Sequence, residues 1–86
     1  MAEYEYILLR SQVFSDEGQR MFLKMRDTAK ELFVKAGACR LERLMASVSG
    51  DSWLMLACAD RLVELGEAKY VYCEGSRQHW ILVSTK

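Results

Sequence analysis

Apolar residues recur at Met21, Phe22, Met25, Ala29, Leu32, Phe33 and Ala36, a spacing that turns one stripe of a helix toward a core. Arg20, Lys24, Asp27, Lys30, Glu31 and Lys35 take the other positions, with Glu31 and Lys35 a favourable i, i+4 pair. Ser15 supplies a capping hydroxyl, Asp16 and Glu17 place carboxylates at the positive end of the helix dipole, and Gly37 follows as a terminator. The pattern predicts a helix over 16–36. Ahead of it, Tyr4 to Arg10 puts Tyr4, Tyr6 and Leu8 on one face and reads as a strand within an extension over 1–14. A helix start competes there, because Tyr4, Ile7 and Leu8 also match i, i+3, i+4.

Beyond Gly37 the periods shorten. Arg40 to Val48 is a short amphipathic segment with Leu41, Leu44, Met45 and Val48 on one side. Ser49-Gly50-Asp51-Ser52 interrupts it and offers a cap for Trp53 to Leu65, a second apolar helix closed by Gly66. Ala68 to Glu74 and His79 to Ser84 are two β-rich runs around the turn Gly75-Ser76-Arg77-Gln78, which predicts a hairpin over 68–84. No linker, repeat or low-complexity stretch divides the chain, so residues 1–86 are expected to form one domain.

A short helix, a turn of small polar residues, a longer helix, a glycine and a hairpin follow the order of the winged helix-turn-helix family. Asp60 to Val71 resembles that family's passage from recognition helix into first wing strand, and Ala38-Cys39-Arg40 is similar to its small strand before the second helix. The resemblance covers residues 16–84, its specific part 40–84. It implies an α+β winged helix of three helices, with 40–66 as the helix-turn-helix and a C-terminal hairpin wing, here with an extra N-terminal strand. It further implies a transcriptional regulator that binds double-stranded DNA, with the third helix in the major groove and the wing beside it. A sizeable minority of the family binds protein instead. In the DNA reading the contacts fall to Arg40 and Arg43, to Ser49 and Ser52, to Arg61 and Lys69, and to Arg77 and Gln78 at the wing tip.

The third helix sits awkwardly with base readout. Met55, Cys58, Ala59, Leu62, Leu65 and Gly66 share its inner side, leaving Trp53, Ala57, Asp60, Arg61 and Glu64 outside. Major-groove readout uses Arg, Lys, Asn, Gln, Ser or Thr, and no cation precedes Arg61 here. The alternative is a protein interface built on an exposed patch of Trp53, Leu54 and Ala57. Against both stands a purely structural role, in which Trp53 folds back onto the chain's own Tyr4–Arg10 segment or first long helix.

Charge and composition narrow the field. The 86 residues carry 12 Lys+Arg against 12 Asp+Glu, with 51 % hydrophobic residues, which is a globular composition without a basic excess. Residues 1–36 and 37–86 each hold equal numbers of the two signs, so neither half conceals a basic domain. Few phosphate contacts per chain then make a dimer the expected DNA-binding form. Cys39, Cys58 and Cys73 have no metal-ligand spacing and read as small core residues, and the one histidine, His79, adds no ligand set. No metal or cofactor is expected. No dinucleotide-binding glycine motif, phosphate loop or nucleophile elbow is present, so the chain reads as a non-enzyme. With no apolar run of membrane length and no basic leader, the expectation is a cytoplasmic protein with no membrane partner.

Overall fold

The computed structural model describes residues 4–85. The N-terminal segment is a helix, α1 (Tyr6–Val13), where a strand was the expectation. Its inward residues are Tyr6, Leu9 and Val13, spaced for a helix, and the two edges of the sheet lie elsewhere. A two-residue corner leads into α2 (Asp16–Ala36), whose bounds are the expected ones. Ser15 caps it by accepting from the Gly18 amide at 3.1 Å, and Gly37 ends it at φ 79° with its own amide on the Phe33 carbonyl.

Strand β1 (Ala38–Arg40) then passes into α3 (Leu41–Ala46), and α4 (Ser52–Glu64) starts from Asp51, whose carboxylate accepts from the Trp53 amide at 3.1 Å. Strands β2 (Ala68–Tyr72) and β3 (Ile81–Ser84) complete a three-stranded antiparallel sheet in the order β1-β3-β2. The turn between them is longer than the expected Gly75–Gln78, running over residues 73–80 with a 3-10 turn at Arg77–His79. The register slips between Tyr70 and Tyr72, so Val71 is a bulge on the edge strand. The architecture is α+β, with four α-helices among the described residues rather than three.

The core lies between α2, α4 and the sheet. Met25, Leu41, Leu44, Cys58, Leu62 and Leu82 fill it, and Val13 plugs α1 into it. On α4 the inner face is wider than its periodicity predicted: Leu54 and Ala57 are buried with Met55, Cys58, Ala59 and Leu62, while Leu65 is 45 % exposed. The cause is α1, which lies along α4 and covers a second flank of it. Cys39 and Cys58 are buried, and burial pushes their thiols up to about 11 and about 12. Cys73, expected in the core, is exposed just past the end of β2.

The crossing of α1 and α2 depends on Gly18. A Cβ there would overlap the Gln12 carbonyl oxygen and stand 2.7 Å from the Val13 backbone. Around it Ser15 Oγ donates to the Gln12 carbonyl at 2.7 Å and Gln19 Nε2 to the Val13 carbonyl at 2.7 Å, closing the end of α1. Alanine normally favours a helix interior over glycine by about 1 kcal/mol, and here the overlap reverses the sign. Gly18→Ala is expected to lose about 2–4 kcal/mol in urea unfolding. An unchanged or raised midpoint would show that the two helices are not held at this distance.

Candidate functional site

The outer side of α4 is where the sequence pointed, and two of its carboxylates organise what lies there. Asp60, with its side chain 14 % exposed, accepts three hydrogen bonds. Tyr4 donates to Oδ2 at 2.6 Å; Tyr70 from β2 and the Arg77 guanidinium both donate to Oδ1, at 2.5 and 2.6 Å. The Arg77 guanidinium also donates to the Tyr70 hydroxyl at 3.0 Å and lies 4.4 Å from the Trp80 ring, 5.3 Å from Tyr4 and 5.4 Å from Tyr70. Its Nε is buried with no hydrogen-bond partner. Ring faces surround the cation, and their quadrupoles stand in for the missing acceptor. Tyr70 and Trp80 meet edge to face at 5.2 Å, so the cage is stiff. Burial raises the Tyr4 and Tyr70 hydroxyls above their ordinary values, helped by the Asp60 charge, and both remain proton donors.

One turn on, Glu64 accepts from Tyr6 at 2.7 Å, from Arg10 Nε at 2.8 and 3.0 Å, and from Arg61 at 2.6 Å. Arg10 and Arg61 both lie over the Phe14 ring, at 5.2 and 5.0 Å. The hydrogen bonds from Tyr6, Arg10 and Arg61 hold the Glu64 carboxyl down to about 2, and burial with the Glu64 bond raises Tyr6 to about 12. This is an exposed clasp between α1 and α4.

The expected DNA contacts end up in separate surroundings. Arg61 is tied to Glu64 and Arg77 turns inward to Asp60, so neither stands out as a free cation. Arg40 is exposed beside Glu42 at 3.7 Å, and Arg43 and Lys69 are exposed without an ion pair among the described residues. Ser49 borders a shallow hollow of about 490 Å³ that it shares with Glu17, Arg20 and Lys24. Ser52, Arg77 and Gln78 do meet, in an open cleft of about 270 Å³ whose apolar wall is Met45, Trp53 and Leu56. Of the expected protein interface only Trp53, 39 % exposed, reaches the surface, and the burial of Leu54 and Ala57 removes the other two. Trp53 lines this cleft and does not fold back into the core.

Met45, Leu56, Tyr4, Tyr70 and Trp80 were not assigned to a site from the sequence. The available signal was a pair of carboxylates, Asp60 and Glu64, at i, i+4 on the outside of an otherwise apolar helix, in a chain with tyrosines to spare at 4, 6 and 70. No group of three or more metal-ligating side chains occurs among the described residues, and no helix among them is long and apolar enough to cross a membrane. No family model, no curated protein and no solved structure matches this chain.

Two measurements check the site. In a double-mutant cycle, Tyr4→Phe and Asp60→Ala are expected to couple by about 1.5 kcal/mol, the low end for a hydrogen bond to a charged group, read by chemical unfolding. Additive losses would mean that the contact does not hold the N-terminal segment. The second concerns acid. Glu64 has a depressed folded value, so its contribution to stability is complete above its ordinary value of 4.5 and disappears as pH falls toward about 2. Wild type should therefore lose more stability than Glu64→Gln over that interval, and parallel curves would refute the clasp.

Proposed function

We propose that this chain is a winged-helix module that binds protein through the cleft beside Trp53. The element order, with a small strand before the second of three packed helices and a hairpin after the third, supports the winged-helix reading, as does the strand order β1-β3-β2. One observation carries the protein reading. The outer side of α4, which a DNA-binding winged helix presents to the major groove, is roofed by the chain itself: Tyr4 and Arg77 over Asp60, Tyr6 and Arg10 over Glu64. What stays open is a cleft with an aromatic anchor, Trp53, and an apolar wall of Met45 and Leu56, the composition of an interface hot spot rather than of a base-reading surface.

The topology favours DNA as a second reading. In that case α3 and the sheet edge, through Arg40, Arg43 and Lys69, would have to meet phosphates, because Arg61 and Arg77 are engaged. Three cations on a chain of zero net charge give weak, salt-sensitive binding.

A random peptide library displayed on phage, selected in parallel on the wild-type chain and on Trp53→Ser, separates the two. Peptides enriched on the wild type are expected to bind Trp53→Ser at least about tenfold more weakly. Fluorescence anisotropy with a mixed-sequence duplex at about 50 mM salt is expected to show no saturation below about 100 µM. Saturable duplex binding that falls with salt and is lost in Arg43→Ala would overturn the protein reading in favour of DNA.

A further inference from the structure

Arg77 and Arg26 each bury a guanidinium Nε with no hydrogen-bond partner among the described residues. Their surroundings differ. Arg77 is paired with Asp60 and lies against the rings of Tyr4, Tyr70 and Trp80. Arg26, half-buried on α2, forms no ion pair among the described residues and has only the Phe22 ring beside it, at 5.9 Å. A buried donor without an acceptor is unfavourable, so Arg26 lacks the partner that its place calls for.

Arg26 lines a narrow pocket of about 90 Å³ between α2, the end of α4 and the start of β2. Its apolar walls are Ala29 and Phe33 of α2, Leu62 of α4 and Ala68 of β2. Short side chains at 29 and 68 leave the space between these elements unfilled. Lys30, exposed, and Glu67, half-buried, are the other charged residues of the lining, and neither forms an ion pair among the described residues. Two cations therefore stand against one carboxylate around an apolar floor.

We propose that this pocket binds a small monocarboxylate, with Arg26 holding the carboxylate and a short aliphatic tail lying against Ala29, Phe33, Leu62 and Ala68. One edge of a guanidinium carries two parallel donors, Nε and an Nη, which match the two oxygens of a carboxylate. An unpartnered Nε leaves that edge without its acceptor. Charge selects the valence: one negative charge balances the lining, and Glu67 opposes a second. Volume selects the length, since about 90 Å³ is the share of about three waters and admits a tail of about three carbons. The pocket shares no lining residue with the Trp53 cleft, so this site stands apart from the protein-docking reading.

Two-dimensional amide NMR with sodium butyrate, against sodium chloride at equal ionic strength, tests it. The wild type is expected to show saturable shifts centred on residues 26–33 and 67–68, with a dissociation constant of about 0.1–10 mM. Acetate, which lacks the tail, n-butanol, which lacks the charge, and succinate, which carries a second charge, are each expected to bind at least about fivefold more weakly. Arg26→Gln is expected to weaken butyrate at least about fivefold with wild-type far-UV circular dichroism. Arg26→Lys keeps the charge and loses the fork, and is expected to weaken it at least about threefold, which preserves the test if the glutamine variant fails to fold. Trp53→Ser, outside the pocket, is expected to bind butyrate as the wild type does. Shifts that do not saturate by about 50 mM overturn the proposal. So do n-butylamine binding as tightly as butyrate, and an unchanged affinity in either folded Arg26 variant.

Discussion

A carboxylate on the outer side of a helix ordinarily keeps its hydration, and drawing it under cover is unfavourable unless donors replace the lost water. Asp60 is drawn under cover, and its replacements come from three distant parts of the chain: a tyrosine ahead of α1, a tyrosine on β2 and an arginine from the β2–β3 connection. Each donor would be costly to leave unpaired in its half-buried place. The four groups therefore stand or fall together. Through them the N-terminal segment, α4 and the β2–β3 hairpin become one unit, and Arg77 acquires its ring-lined cage.

That arrangement decides which chemistry the surface offers. Guanidinium groups attract phosphate only when they are not already neutralised at close range, and here Arg10, Arg61 and Arg77 each have a carboxylate within hydrogen-bond distance. The same roof that withdraws these cations frames the neighbouring cleft, since Arg77 belongs to both. Trp53, an aromatic residue at the start of α4, lines an open cleft with Met45 and Leu56 instead of presenting a base-reading group. Neutral net charge and an apolar helix start, each unhelpful for nucleic acid, are in keeping with the protein docking proposed for this cleft.

Packing makes the arrangement possible. The close α1–α2 crossing at Gly18 aims α1 along α4, and Val13 anchors it in the core. Once α1 is there, Ala57 has no room for solvent and the apolar patch expected from Trp53, Leu54 and Ala57 is reduced to its first member. Leu65, freed at the far end, moves to the surface. A helical wheel for α4 alone cannot register this, because it assumes one covered side.

Local patterns were sufficient for the elements from 16 onward. Hydrophobic spacing, the Ser15 and Asp51 caps and the terminating glycines act over a few residues, and α2, α3, α4 and the two later strands all appear where those signals stand. The segment before residue 15 was different. Tyr4 to Arg10 satisfies both strand and helix periods, and the choice fell to whichever surface could cover Leu9 and Val13. The sequence by itself determined the α+β class, the buried residues Met21, Phe22, Met25 and Ala29 of α2 and the apolar character of α4, whereas Ala36, expected in the same stripe, is exposed. Tertiary structure alone decided that Arg77 points inward, that Asp60 and Glu64 face donors rather than water, and that Trp53 borders a cleft. These depend on pairs 10 to 58 positions apart along the chain, and no local periodicity encodes which distant donor will meet which carboxylate.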